Sequence, residues 1–446
     1  MSTRLEAERT TAPPATGRRS GRPAWLVDVA LVAGLTALAA LARWPGLYTV
    51  PALTDEADEL LYALRHLRAG QAPLTNVDPY IGPIWTYLLM LAVTVAGPSP
   101  VIGRTLIFAA GCATVGLTYG LGRVAGGRWV GLIAGALLVP HVAHVLIVSH
   151  IGWSNCLSPL LSTATLLAAA AALRHDRPAL LPVAGLLGGL TLQTHASTAP
   201  PLLALGLAVL AAPAGRRWLR TRWPVAGLAA ALLGSLPWLV AIVQQPLGAL
   251  RAAQDLEYAF RPAGSPGAYA ANLAALATSL GRALASVMEE PGSLLALLAR
   301  PQVAPLLALL VVGLVAAWRS GRRELPLVLL ISPLITAAAG ADGRWLPASV
   351  PRYLGPLWPV CSVLVGLGAV ALAGWVGRAA PRLAARAGRP ALAWLRWPAL
   401  AALAVAVAGP GIAGPWQALD AYRAWYAGQP RVGDINAYLL DRKSVV

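Results

Sequence analysis

The sequence predicts an all-α, polytopic membrane protein with about eleven transmembrane helices and interfacial helices in the first outer loop. Three observations predict it. Of 446 residues, 57% are hydrophobic and only 12% charged, about half the charged share of an ordinary soluble domain. Apolar runs near twenty residues recur along the chain, the length that crosses a hydrocarbon core. Lipid also denies water to the backbone of such a run, so its hydrogen bonds close internally as a helix.

In chain order, residues 1–23 are rich in Arg, Thr and Pro and read as a disordered, basic cytoplasmic tail. The runs able to span are 24–43, 101–122, 129–148, 156–173, 179–196, 198–213, 224–243, 303–318, 325–340, 353–376 and 398–415. The first is long enough to remain as a span rather than be cleaved as a signal peptide. Residues 84–97 (IWTYLLMLAVTVAG) form a shorter run, too short for a core of about 30 Å, and read as an interfacial or re-entrant helix. Outer loops fall at 44–100 and 244–302, the second with weak helical stretches at 247–259 and 268–288. The membrane core is thus 24–376. Residues 377–446 read as a basic cytoplasmic loop, the last span and a short outer tail.

The net charge of +17 invites a nucleic-acid reading, and its distribution opposes one. With the N-terminus inside, most Arg residues fall in the cytoplasmic segments 1–23, 123–128, 174–178, 214–223, 319–324 and 377–397, and most acids fall outside. Positive charge then faces anionic lipid, and no nucleic-acid partner is expected. Arginine outnumbers lysine 34 to 1, as GC-rich bacterial coding favours, so the membrane is read as the plasma (inner) membrane. Cys112, Cys156 and Cys361 lie in or beside apolar runs, without metal-ligand spacing.

Residues 51–67 (PALTDEADELLYALRHL) stand out, because Asp55, Glu56, Asp58 and Glu59 fall here in a chain with 18 acids. Thr54 reads as a helix N-cap, and carboxylates suit the positive end of the helix dipole. Ala57, Leu60, Leu61, Leu64 and Leu67 share one helical face, and Asp55, Glu59, Tyr62 and His66 another. An amphipathic helix on a membrane surface fits this pattern. Plain capping and solubilising fits the acids equally well.

An Asp-Glu pair after the first span, an amphipathic helix and the segment VDPYIGPIWTYLLMLAVTVAG resemble the opening of the lipid-linked-sugar glycosyltransferases. This is the GT-C superfamily of protein O-mannosyltransferases and aminoarabinose transferases. The resemblance continues through IGRTLIFAAGCATVGLTYGLGRVAGGRWVGLIAGALL, SHIGWSN, GLTLQTHASTAPPLLAL and VPRYLGPLWPV, in order, over residues 24–376. It implies an inverting transfer of sugar from a polyprenyl-phosphate donor to a lipid, glycan or protein acceptor on the outer face. Asn155 stands where the family often carries an acid, and His195 where many members have Lys. The resemblance therefore leaves the acceptor open, and with it the need for a divalent cation, Mg²⁺ or Mn²⁺.

A phosphate leaving group needs charge stabilisation, and the acceptor hydroxyl needs a base. The resemblance implies that Asp55 is the base, with Glu56 next; for Glu56, a carboxylate bonded to backbone or Arg is the plainer reading. Arg352, before Tyr353, matches the family's Arg-Tyr-Leu motif and would hold the lipid phosphate, against snorkelling as the bland alternative. His195, His150, Asn155, Tyr62 and Asp78 complete the substrate-binding candidates, with helix-helix bonding as the ordinary role for a lone membrane His. Tyr80 and Trp85 are offered for the cavity mouth, with an aromatic-belt role for Trp85. His141 and His144 offer a metal pair or simple packing, and Arg104 a partner for Asp55 or Asp78. The rival from another class is a transporter or flippase of lipid-linked sugars. It expects charge deep in the spans and related halves, whereas here the polar groups gather at one edge.

Overall fold

The computed structural model describes residues 24–49, 54–248, 263–287, 294–339 and 352–386, with isolated positions at 251 and between 416 and 424. All its elements are helical. The chain opens with α1 (Ala24–Arg43), α2 (Thr54–Ala69), α3 (Ile84–Ala96) and α4 (Ile102–Gly126). Next come α5 (Arg128–Leu138), α6 (Val142–His150), α7 (Ser158–His175), α8 (Leu181–Leu192), α9 (Ala199–Ala211) and the short α10 (Pro213–Trp218). Then follow α11 (Trp223–Gly234), α12 (Leu236–Gln244), α13 (Pro266–Leu284), α14 (Leu294–Leu298), α15 (Val303–Arg319), α16 (Glu324–Ala339) and α17 (Trp358–Arg386). Every apolar run from 24 to 376 is thus helical; the run 398–415 lies outside the described residues, as do residues 1–23. The last described helix runs on to Arg386, ten residues past the end that hydropathy sets at 376.

Two runs expected as single spans are bent pairs: α5 and α6 meet at 68°, α11 and α12 at 69°. Pro140 stands at the first break, where a missing N–H and a ring clash interrupt the helix. The carbonyls of Leu138 and Val139 released there accept from the Arg43 guanidinium at 3.1 and 2.9 Å. The same guanidinium meets His144 Nδ1 at 2.7 Å. Arg43 is fully buried, and no sequence pattern singles it out. His141 and His144 serve this joint: the His144 N–H donates to His141 Nδ1 at 3.2 Å, and the His141 ring packs on Trp358 at 5.3 Å. At the second break, Ser235 Oγ donates to Gly189 O at 3.2 Å and Gln193 Nε2 donates to Gly234 O.

Helices in apolar surroundings associate through close backbone approach at small residues. A Cβ on Gly313 of α15 would fall on the Leu364 carbonyl of α17, and one on Gly368 would fall on the Leu309 carbonyl. Glycines set the approach of α8 to α11 in the same way. Basic loops meet one another: Asp176 accepts from Arg217 at 3.2 Å and from Trp218 Nε1 at 3.0 Å. Asp28 likewise ties α1 to Arg128 at 2.9 Å.

In the long loop, the second weak stretch forms as α13. It docks on α16 through Tyr269 Oη to Leu334 O and Asn272 Nδ2 to Ala337 O, both at 3.0 Å. Most of the first stretch lies outside the described residues. Trp85 of α3 is 0% exposed. It is a core residue rather than a belt aromatic, because α3 lays Trp85, Leu89 and Val93 against the protein interior.

Candidate active site

Helix α2 is anchored by two carboxylates one turn apart. Glu56 accepts from Arg104 Nε at 2.8 Å and Nη2 at 2.9 Å, and from the Gly152 N–H at 2.8 Å. Arg104 therefore forms its ion pair with Glu56. Glycines permit the approach: a Cβ on Gly152 would meet the Arg104 backbone N at 2.8 Å. One turn on, Glu59 accepts from Asn76 Nδ2 at 2.6 Å, Ser154 Oγ at 2.8 Å and Ser154 N–H at 2.9 Å. Helix α2 thus grips both the following loop and the turn after α6. The inward stripe is Glu56, Ala57, Glu59, Leu60 and Ala63. The face expected from the leucines is only partly correct, because Leu61, Leu64 and Leu67 are half-buried.

Burial pushes the Glu59 carboxyl up to about 8, and the Asp55 charge adds to the rise against the three donors. A raised carboxyl pKa stabilises the fold fully below the unfolded value, and that contribution is lost as pH rises through the folded one. Thermal midpoints of the full chain should fall between pH 4.5 and about 8. Glu59→Gln should flatten that slope; an equal slope in the variant would remove Glu59 as its source.

Asp55 begins α2 on the exposed side. It lines a cavity of about 210 Å³ with Asp58, Glu59, Asp78, Tyr80, Trp153, Ser154, Asn155, His195 and Tyr353. His195 precedes a 3₁₀ turn, Ala196–Thr198, and its Nδ1 accepts the Ser197 N–H at 3.1 Å. In the neutral ring this puts the proton on Nε2. The ring stacks on Tyr353 at 4.6 Å and 18° and takes the edge of Tyr80 at 5.8 Å. Tyr80 Oη donates to Asp78 Oδ2 at 3.2 Å. Asn155 Oδ1 accepts from Ser158 Oγ at 3.3 Å, while its buried Nδ2 has no partner among the described residues. A neutral donor thus stands at this position of the cavity wall.

The other candidates lie elsewhere. Glu56 is held in its ion pair, outside the cavity lining. The ring nitrogens of His150 face the carbonyls of Val145 at 2.9 Å and Pro45 at 3.0 Å, a joint between segments. Tyr62 lines a separate cavity. Arg352 opens the 3₁₀ turn Arg352–Leu357, immediately before Tyr353. Among the described residues no three His, Cys, Asp or Glu side chains are placed to hold a metal ion together. Trp153, Ser154, Asp58 and Glu59 also line the cavity, and the sequence candidates do not include them. SHIGWSN, quoted as a motif, was the available pointer to the first two.

Residues 79–240 match the family model described as dolichyl-phosphate-mannose-protein mannosyltransferase. No curated protein sequence matches the chain. Among solved structures, ArnT from Cupriavidus metallidurans bound to undecaprenyl phosphate superposes with a TM-score of 0.53 at 14% identity, over 91% of this chain and 77% of that one. The Archaeoglobus fulgidus oligosaccharyltransferase AglB, in complex with an inhibitory peptide and a dolichol-phosphate, gives 0.54 at 15% identity. That match covers 92% of this chain and 57% of AglB, so this chain spans little more than half its length. At such identities the likeness is one of fold. The multi-span all-α membrane fold is shared, and the motif order resembles that of O-mannosyltransferases and aminoarabinose transferases.

Proposed function

We propose that this membrane protein, GT-C in fold, is a glycosyltransferase that moves a sugar from a polyprenyl-phosphate carrier to an acceptor on the outer face of the membrane. One observation carries the proposal. Asp55, Asp78, Asn155, His195 and Tyr353 come from separate segments of the chain and line one cavity.

Asp55 is the base. It removes the proton from the acceptor nucleophile as the oxygen or nitrogen attacks the anomeric carbon. The bond from that carbon to the phosphate oxygen breaks on the opposite face, so the centre inverts in a single displacement. The phosphate oxygen takes the electron pair of that bond, so the leaving polyprenyl phosphate gains a negative charge and needs donors rather than a proton. Arg352, adjacent in sequence to Tyr353, is assigned to that phosphate, with Nε2–H of His195 and Nδ2 of Asn155 as neutral donors to sugar or phosphate. Asp78, oriented by Tyr80, binds sugar hydroxyls. Clustering of basic loops away from the acidic helix supports an outer-face site in a plasma membrane.

The test is donor consumption. Purified full chain in detergent is given synthetic polyprenyl-phosphate mannose, glucose and arabinose in turn, together with a membrane extract as acceptor source. Release of free polyprenyl phosphate from one donor is expected. Intact donors in all three cases, from well-folded protein, would count against the enzyme.

A further inference from the structure

A second cavity, of about 500 Å³, lies beside the first and is large enough for a small ligand. We infer that it is the acceptor subsite and that it takes an uncharged saccharide. Its role as acceptor site rests on the glycosyltransferase reading; the class of ligand comes from its walls.

The two cavities share their framework. On α2, Asp55, Asp58 and Glu59 line the first, and Tyr62 and His66 line the second. These positions run three to four apart along one stripe of the helix. Asp55 and Tyr62 are two turns apart, about 10 Å along the axis. In the loop before α3, Asp78 and Tyr80 face the first cavity while Pro79 between them lines the second. The Pro79 carbonyl accepts from Trp238 Nε1 of α12 at 3.2 Å, so the segment shared by the two linings is held against α12.

The wall chemistry selects the ligand. Gln71, Gln244, Gln245 and Thr75 offer amide and hydroxyl groups, and Tyr62 and His66 offer rings 4.4 Å apart. The His66 Nδ1 atom is buried with no hydrogen-bond partner among the described residues. Among the described residues no Lys, Arg, Asp or Glu lines this cavity. An anionic headgroup would find no cation there, and a basic peptide no carboxylate. A sugar ring presents an apolar face to an aromatic and a rim of hydroxyls, each donor and acceptor at once, to amides that are likewise both.

The experiment is binding to a printed array of neutral oligosaccharides, sialylated oligosaccharides and acidic and basic peptides, probed with the full chain in detergent. Retention on neutral oligosaccharides is expected. Tyr62→Ala and, at an exposed position tolerant of change, Gln245→Ala should each weaken retention about tenfold, the loss of one ring or amide contact, while eluting as monodisperse protein. Retention on peptides or sialylated glycans alone, no retention on neutral glycans, or equal retention by both folded variants would overturn the subsite. Failure of the enzyme reading is separable. A chain that holds neutral glycans through Tyr62 and Gln245 yet consumes no polyprenyl-phosphate donor keeps the saccharide site and loses the transferase.

Discussion

Asp55→Asn should lower sugar transfer by about 10²- to 10⁴-fold, the range for loss of a positioned general base, while the protein keeps its fold. The amide has the carboxylate's shape but cannot take a proton from the acceptor. Asp55 is exposed at the start of α2, and the buried bonds to Arg104 and Ser154 are made by Glu56 and Glu59. The thermal midpoint should therefore move little, within the roughly ±0.5 kcal/mol of surface changes. Because the base acts in the transition state, kcat should fall while the donor KM stays near its original value.

Asp58 supplies the internal control. It lines the same cavity from the same helix, so a general loss of negative charge would affect both variants alike. The base reading expects Asp58→Asn to retain most turnover. If the two variants exchange outcomes, the base is Asp58; if neither loses turnover, neither aspartate is the base.

Much of this fold was legible because lipid leaves the backbone few alternatives. A long apolar run must be a helix, and hydropathy finds it. The bends were not legible from hydropathy, since both arms of a broken span are apolar. Pro140 was the local sign, and the compensation by Arg43 comes from 95 residues away in sequence. The α2 face was misread for a related reason. Leucine marks the interior only where water is outside. Here Glu56 and Glu59 point inward because Arg104, Gly152, Asn76 and Ser154 meet them there. Such partners lie beyond any helical period. The motif residues His195 and Tyr353 reach the cavity with Asp55. His150, read with the same reasoning, instead bridges two carbonyls, and nothing in its neighbours' identities distinguishes it from His195.

Arg104→Ala should be the most destabilising single change at the site, costing about 3–5 kcal/mol, the range for breaking a buried ion pair. Side chains of Arg104 and Glu56 are 4% and 6% exposed. Removing the cation leaves a carboxylate in low dielectric without its bidentate guanidinium donor, while the Gly152 N–H still donates to it. The magnitude reflects that orphaned charge rather than the net value of the pair. Arg104→Met with Glu56→Gln should therefore recover most of the loss: Gln keeps an acceptor for Gly152 and carries no charge. Apparent unfolding midpoints of the two single variants and the double variant, read in one detergent, make the comparison. An additive double variant, as unstable as the sum of the singles, would show that Arg104 acts through packing instead. A second readout follows from the position of the clamp. Helix α2 carries Asp55 on one side and Glu56 on the other, so loosening Arg104 frees the base as well as the fold. Transfer by the double variant should stay below wild type even where its stability returns, because charge neutrality restores burial without restoring the bidentate geometry that fixes the helix.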